Sequence, residues 1–300
     1  MYRTVLKIIL LAVWAYPFPL LAQHIEYGNV FTSNMENEDG NKVGKGGIQY
    51  VSGSYTLPIS TKIDSLHRIR SWSATFTGKY SFFDDGRRVK QINPDDIVNA
   101  GVMLTHVRTI ASRWNMVATT GVSLSAISDY IRMNSVALSA GVIFLYKVNN
   151  DLNVGAGVVV TTAYGEPVCI PLPFITWKRE GKFLYELNMQ GRPELKISTQ
   201  LNPKVRLALS PFDAETFSAV IKTNGDNAVY MNNLFKATFG GSYQLAKKLS
   251  INADVGYIYY HKVKFVDRSF KSFWRNLFNS DGAYKYKPSF ALTVGINYSL

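Results

Sequence analysis

At 300 residues the chain is long enough for one or two cored domains, so size excludes little. Composition excludes more: charged residues make up only 18% of the chain, against roughly 25% in ordinary soluble domains, while 22 Gly, 18 Tyr and 17 Phe keep it rich in small and aromatic side chains. The formal net charge is +12, and the single cysteine, Cys169, rules out an intramolecular disulfide and any thiolate metal cluster.

In chain order, residues 1–22 read as a secretory signal peptide. Arg3 and Lys7 form its positive end, Ile8 to Trp14 its apolar core, and Leu20-Leu21-Ala22 before Gln23 its cleavage site. An uncleaved membrane anchor is the alternative. No later segment offers ~18 consecutive apolar residues, so no spanning helix follows. An exported basic chain points away from nucleic acid and towards phosphates, of lipopolysaccharide or of anionic solutes.

From residue 23 onwards the dominant period is two. In 69–83, Trp72, Ala74, Phe76, Tyr80 and Phe82 oppose Ser71, Ser73, Thr75, Thr77 and Lys79; in 114–127, Trp114, Met116, Ala118, Val122 and Leu124 oppose Asn115, Thr119, Gly121 and Ser123. Residues 134–148 and 152–164 repeat the pattern and are separated by the turn Asn149 to Asp151. So do 231–245, 249–264 and the closing stretch 286–300, where Phe290, Leu292, Val294, Ile296, Tyr298 and Leu300 share one face. Two-residue spacing scatters these side chains around a helix but aligns them on a strand. Weaker candidates at 25–33, 47–57, 97–110, 171–179, 182–190, 194–201 and 204–221 bring the count to fourteen, with twelve as the alternative.

Short turns at 112–113, 149–151, 180–181, 202–203 and 246–248 interleave with longer links near 84–96, 128–133, 164–170, 222–230 and 265–285. Short turns at one end and long loops at the other are the pattern of an outer-membrane barrel, with the short ones periplasmic. An even strand number then puts both termini in the periplasm. Trp114, Tyr146, Trp177, Tyr243 and Tyr298 fall near one end of their strands, and Tyr80, Phe82, Tyr164 and Tyr259 near the other, where aromatic rings meet lipid headgroups. A soluble sandwich is the competing class, but it would turn polar faces outward.

The link 265–285 departs from the strand pattern. Phe270, Phe273, Trp274, Leu277 and Phe278 form one helical stripe, with Lys271 and Arg275 on other faces, Asp267 or Ser269 placed as the start cap and Gly282 as the stop. The expectation is a segment over the barrel mouth, or in the outer leaflet with Lys264, Arg268, Lys271, Arg275, Lys285 and Lys287 near lipid phosphates; a flexible loop is the alternative.

On the inner faces, Lys79, Lys236, Gln244, Asn252, Asp254 and Asn297 are the candidate lumen lining, either of a pore or of a filled barrel. No catalytic, cofactor or metal site is expected. His24, His67, His106 and His261 are dispersed, no nucleophile-elbow pattern is present, and His106 with Ser123 or Ser125 is the nearest approach to a nucleophile and base.

Tyr55-x-Leu57-Pro58-Ile59, the Pro171-Leu172-Pro173 run, the Lys/Asn-rich turns and the aromatic closing strand together give a chain that resembles a family of bacterial outer-membrane β-barrel proteins whose domain has no assigned function. That resemblance implies fold and location and transfers no functional residues. The final strand is similar to the recognition signal of the barrel-assembly machinery, with Leu300 where an aromatic residue usually stands. The expected function is passage or capture of small solutes through residues 23–300. A lipid-active enzyme and a structural or adhesive barrel are the other classes.

Overall fold

The computed structural model describes residues 23–66, 68–86, 89–189, 193–223, 226–272, 275 and 284–298. The expected signal peptide, 1–22, lies outside them. The strands are β1 (His24–Glu36), β2 (Lys42–Ile63), β3 (Ile69–Asp85), β4 (Asp96–Ala111), β5 (Trp114–Ala126), β6 (Val136–Lys147) and β7 (Leu152–Thr161). They continue as β8 (Val168–Arg179), β9 (Leu184–Asn188), β10 (Glu194–Asn202), β11 (Val205–Thr223), β12 (Asp226–Ala246), β13 (Leu249–Asp267), β14 (Tyr284–Tyr286) and β15 (Ser289–Tyr298).

Each strand pairs antiparallel with its chain neighbour, and β14 and β15 are two halves of one stave interrupted at Lys287 and Pro288. That last stave pairs with β13 on one edge and with β1 on the other, in the register Ile25 to Ile296 and Tyr27 to Val294. The fourteen-stave wall is therefore closed, which satisfies the backbone groups that two edge strands would leave open.

The alternating pattern explains which way each face turns. On β15, Ser289, Ala291 and Thr293 are buried towards the lumen, while Phe290, Leu292, Val294 and Ile296 stand exposed on the outside. Phe76, Leu138, Phe144, Phe239, Val255 and Tyr257 extend the same apolar band around the wall. Its extent far exceeds the few hundred Å² of contiguous apolar surface that a soluble monomer leaves to water. Hydrocarbon covers it, and the fold is a closed antiparallel transmembrane β-barrel of the outer-membrane type.

At the end that carries both termini the turns are built by side chains. Asn149 Oδ1 accepts the N–H groups of Asp151 and Leu152, and Asn202 Oδ1 those of Lys204 and Val205. Asp64 accepts the backbone N–H groups of Arg68 and Leu66 and the Arg68 guanidinium at 2.6 Å; these bonds, that of the Arg68 backbone first, hold its carboxyl below its usual range. Trp114 packs on Tyr146 and Trp177 on Tyr185 near this end, where the aromatic placement expected a girdle.

At the opposite, far end one expectation is corrected. Residues 222–230 are not a long loop: β11 and β12 stay paired up to Thr223 and Asp226. Two further strands outrun their expected ends, because β2 absorbs Pro58 in a bulge and stays paired with β3 as far as Ile63 and Ile69, and because β13 continues to Asp267. Pro171 and Pro173 are accommodated because β9 is short: it pairs only with Thr176 to Arg179 of β8, and the prolines lie on the stretch beyond it.

The far half of β11 rises above β10 and crosses to the opposite wall. Val220 pairs with Ala126 of β5, and the Ser218 carbonyl accepts hydrogen bonds from Ser125 Oγ at 2.8 Å and Asn99 Nδ2 at 3.0 Å. This contact closes β11–β15 and β1–β5 into a narrower ring filled by a dry core that includes Ile48, Phe217, Tyr230, Leu234, Ile258 and Val263. Gly28 makes that filling possible, since a Cβ there would lie 2.2 Å from Tyr50 Cζ. Gly28→Ala is therefore expected to cost about 1–3 kcal/mol, the usual penalty of overpacking, read as a lower urea midpoint for unfolding from detergent.

Candidate lumenal site

Pro211 sets up the site. Between Ser210 and Asp213 the register of β11 slips against both neighbours, so the inward phase passes from even to odd residues and Asp213, Glu215 and Phe217 all face the lumen. Glu215 is then held between two lysines from other staves. Lys79 of β3 lies 2.6 Å from its Oε1 and Lys236 of β12 lies 2.9 Å from its Oε2, while Asp213 stands 3.8 Å from Lys236. Two cations and two carboxylates cancel, as charges withdrawn from bulk water must. Lys79 is further boxed by aromatic faces, 3.7 Å from the Phe217 centroid and 4.3 Å from that of Tyr50.

On the terminal side of this cluster lies a cavity of about 410 Å³, walled by the inner faces of β1–β5 and by Glu215 of β11. Its lining includes Lys79, Glu215, Glu26, His24, Asn99 and Ser125. A hydrogen-bonded chain passes through its wall residues Glu26 and His24. Tyr50 donates to Glu26 at 2.9 Å; His24 bridges Glu26 at 3.3 Å and Asn297 at 2.7 Å; Asn297 donates to Asn252, and Asn252 to Asp254.

On the far side the lumen is stopped by the β3–β4 connection, which folds inward. Val89 is fully buried, filling the space where Gly44 has no side chain: a Cβ on Gly44 would sit 2.6 Å from Val89 Cγ2. Asn93 ties this plug to the wall, accepting from Tyr230 OH at 2.9 Å and donating to Tyr286 OH at 2.7 Å. Asn232 donates to the Tyr230 hydroxyl at 3.1 Å and bonds His261 at 2.8 Å, and His261 stacks on Tyr286 at 4.2 Å. His261 is thus a buried lumenal residue on the wall side of the plug.

All six lumen candidates face inward. Lys79 and Lys236 meet through Glu215, and Asn252, Asp254 and Asn297 share the second network. Gln244 stands apart near a turn, donating to the Ala246 and Lys247 carbonyls. Of the far-loop candidates, Arg268 packs beside Gly165, the Phe270 N–H donates to Glu166 at 3.2 Å, and Lys271 is exposed. Arg275 approaches Asp267 at 3.8 Å, and Ser269 caps the helical residues by accepting from Ser272 N at 3.1 Å. The link from β13 therefore reaches across the far mouth to the β7–β8 connection. Phe273 and Trp274 lie outside the described residues, as does His67.

His106 stacks on Trp72 at 4.2 Å on the outer wall, while Ser123 and Ser125 line the cavity inside. The wall separates them, so the nucleophile and base weighed from the sequence do not form a pair. Asp213, Glu215, Glu26 and Tyr50 were missed in the sequence. A signal was present: two inward lysines on a wall of small and apolar residues require acids, and 204–221 carries Asp213 and Glu215 in an otherwise apolar stretch.

The outer-membrane channel of Pseudomonas putida F1 described as COG4313 is 9% identical, with 93% of this chain and 96% of that chain covered and a TM-score of 0.38. The Pseudomonas putida toluene transporter TodX is 10% identical over 97% and 93%, with a TM-score of 0.35. The translocator domain of the autotransporter NalP from Neisseria meningitidis is 11% identical over 100% and 96%, with a TM-score of 0.33. Comparison with curated proteins gives no match. The family model described as "Domain of unknown function (DUF6268)" matches residues 20–299, nearly the whole length over which this wall is built, and the chain belongs to that family.

Proposed function

We propose that the protein is a non-catalytic outer-membrane barrel, with both termini in the periplasm, that captures small polar solutes in its lumenal cavity and passes them when the inward plug yields. The observation that carries this reading is the cavity of about 410 Å³ with Lys79, Glu215 and Glu26 on its wall, lying directly against the dry core. Its size suits a small molecule, and its opposed charges suit a zwitterion or a polar solute with both donors and acceptors. The orientation rests on turn length, the tight turns lying at the terminal end and the long 268–283 connection at the other.

Liposomes bearing the purified barrel are expected to swell faster than protein-free liposomes in small amino acids, with saturation, and more slowly in neutral sugars of similar size. Absence of both swelling and saturable binding would overturn the reading. A structural barrel with a filled lumen, which the dry core also suits, would then stand in its place.

A further inference from the structure

We propose that the outer wall at the terminal rim binds the phosphate of an anionic phospholipid, at a rung formed by Lys62, Arg70 and Arg108. It rests on the proposed orientation, in which this end faces the periplasm and the phospholipid leaflet of the outer membrane. Backbone register fixes the rung: Lys62 of β2 lies directly opposite Arg70 of β3, and Arg70 directly opposite Arg108 of β4. Trp72 and His106, stacked on the outer wall, stand one step further in on the same face of β3 and β4, so the rung points out of the barrel. All three cations are exposed.

Like charges directly opposite one another on a sheet destabilise it, and no acid of the chain is placed to relieve these three. β2 carries none, and β3 and β4 carry theirs, Asp84, Asp85 and Asp96, at the far end. Among the described residues the terminal turns hold three carboxylates. Asp64 is taken by Arg68 at 2.6 Å, Glu180 by Lys178 at 3.1 Å, and Asp151 belongs to the β6–β7 turn, beyond β5. The residues outside the described ones include one acidic side chain, Asp281, and it belongs to the far connection between β13 and β14. The counter-ion therefore comes from outside the chain.

Depth identifies it. Arg108 lies opposite Met116, which shares the outward face of β5 with Trp114 of the aromatic girdle. The Trp72–His106 stack borders the rung on the lipid side, and Ile110, beyond it, is 49% exposed. Cations set between rings and an aliphatic side chain at this level stand among lipid headgroups. Further round the wall, exposed Arg113, Lys147, Lys182, Lys204 and Lys247 lie in or beside the other five terminal turns. A basic perimeter fits a leaflet that surrounds the barrel, whereas a docked acidic protein would meet one side of it. At the rung, strand register forces the charges together and gives one phosphate several cations.

The test reconstitutes the purified barrel in vesicles of phosphatidylglycerol and phosphatidylcholine, extracts it again in mild detergent and counts the phosphatidylglycerol retained per barrel. Lys62→Gln/Arg70→Gln/Arg108→Gln is expected to lower that retention about tenfold or more, and Arg113→Gln/Lys147→Gln/Lys204→Gln, which removes the same charge from separate turns, to lower it far less. Unchanged retention in the rung variant overturns the site, as does an equal loss in both variants. Glycerol phosphate at millimolar concentration should displace little of the lipid; full displacement makes it a free-phosphate site and overturns the lipid assignment. Extracted from outer membranes, the rung variant should lose phospholipid and keep lipopolysaccharide. Loss of lipopolysaccharide instead inverts the barrel and overturns the phospholipid assignment, while the vesicle result still shows a phosphate-binding rung. If the triple variant folds poorly, Arg70→Gln alone relieves repulsion on both sides: it should raise the urea midpoint in zwitterionic detergent and shrink the further rise that phosphatidylglycerol gives wild type. A wild-type midpoint that phosphatidylglycerol does not move overturns the site.

Discussion

Glu215→Ala is expected to be the most damaging single substitution in the lumen, lowering stability by about 3–5 kcal/mol, the usual cost of leaving buried charges without their counter-ion. Glu215 is 5% exposed at its side chain and Lys236 3%, and Lys79 at 19% is screened by the Tyr50 and Phe217 rings, so water cannot take over the carboxylate's work. Asp213, at 3.8 Å from Lys236, replaces only part of the lost attraction. Glu215→Gln keeps the shape and one acceptor and should fall between wild type and alanine. Combining Glu215→Leu and Asp213→Asn with Lys79→Met and Lys236→Met should recover most of the loss, because removing all four charges removes the desolvation cost together with the attraction. Urea midpoints in detergent, with the heat-dependent gel mobility of folded barrels as the control for closure, measure all three. A Glu215→Ala barrel within about 1 kcal/mol of wild type, as for exposed ion pairs, would mean that the cluster sits in water and that the lumen is open at this level.

Most of the wall was legible from the sequence because its signal is local. A strand with lipid on one side and lumen on the other must alternate, so Trp114 to Leu124 or Phe290 to Tyr298 declare their faces without reference to any partner. The lumen was legible only in part, for a geometric reason. Lys79, Lys236, Asn252, Asp254 and Asn297 follow from parity within regular strands, whereas Asp213 and Glu215 lie past a bulge at Pro211 that reverses parity. The far half was illegible because it depends on contacts between distant segments. Nothing near Ser218 announces that its carbonyl will meet Asn99 and Ser125, and nothing near Val89 announces that Gly44 leaves room for it. The 222–230 stretch, with Gly225, Asp226 and Asn227, has a loop's composition but pairs as strands up to Thr223 and Asp226, since the extended β11 and β12 are what bring Phe217 and Tyr230 into the core.

Asn93→Ala is expected to open the barrel. The side chain holds the plug through two buried tyrosine hydroxyls, Tyr230 at 2.9 Å and Tyr286 at 2.7 Å. Losing both bonds weakens the closed arrangement by about 2–3 kcal/mol. Each 1.4 kcal/mol is a factor of ten, so the open fraction should rise roughly 30- to 150-fold. In planar bilayers the wild type should then show rare brief openings and the variant sustained ones of the same unitary size, because the cavity that limits flow is untouched. Val89→Asp acts on the same plug by a different route, placing a charge in a fully buried apolar seat, and should give the same unitary conductance with still longer openings. The two substitutions share no interaction except the plug itself, so agreement between them assigns the block to Val89–Asp95 and not to the β5–β11 contact. If both variants stay silent while remaining folded, the obstruction is that contact, where Val220 meets Ala126, and the route for solutes must then be sought through the shorter wall of β6–β10.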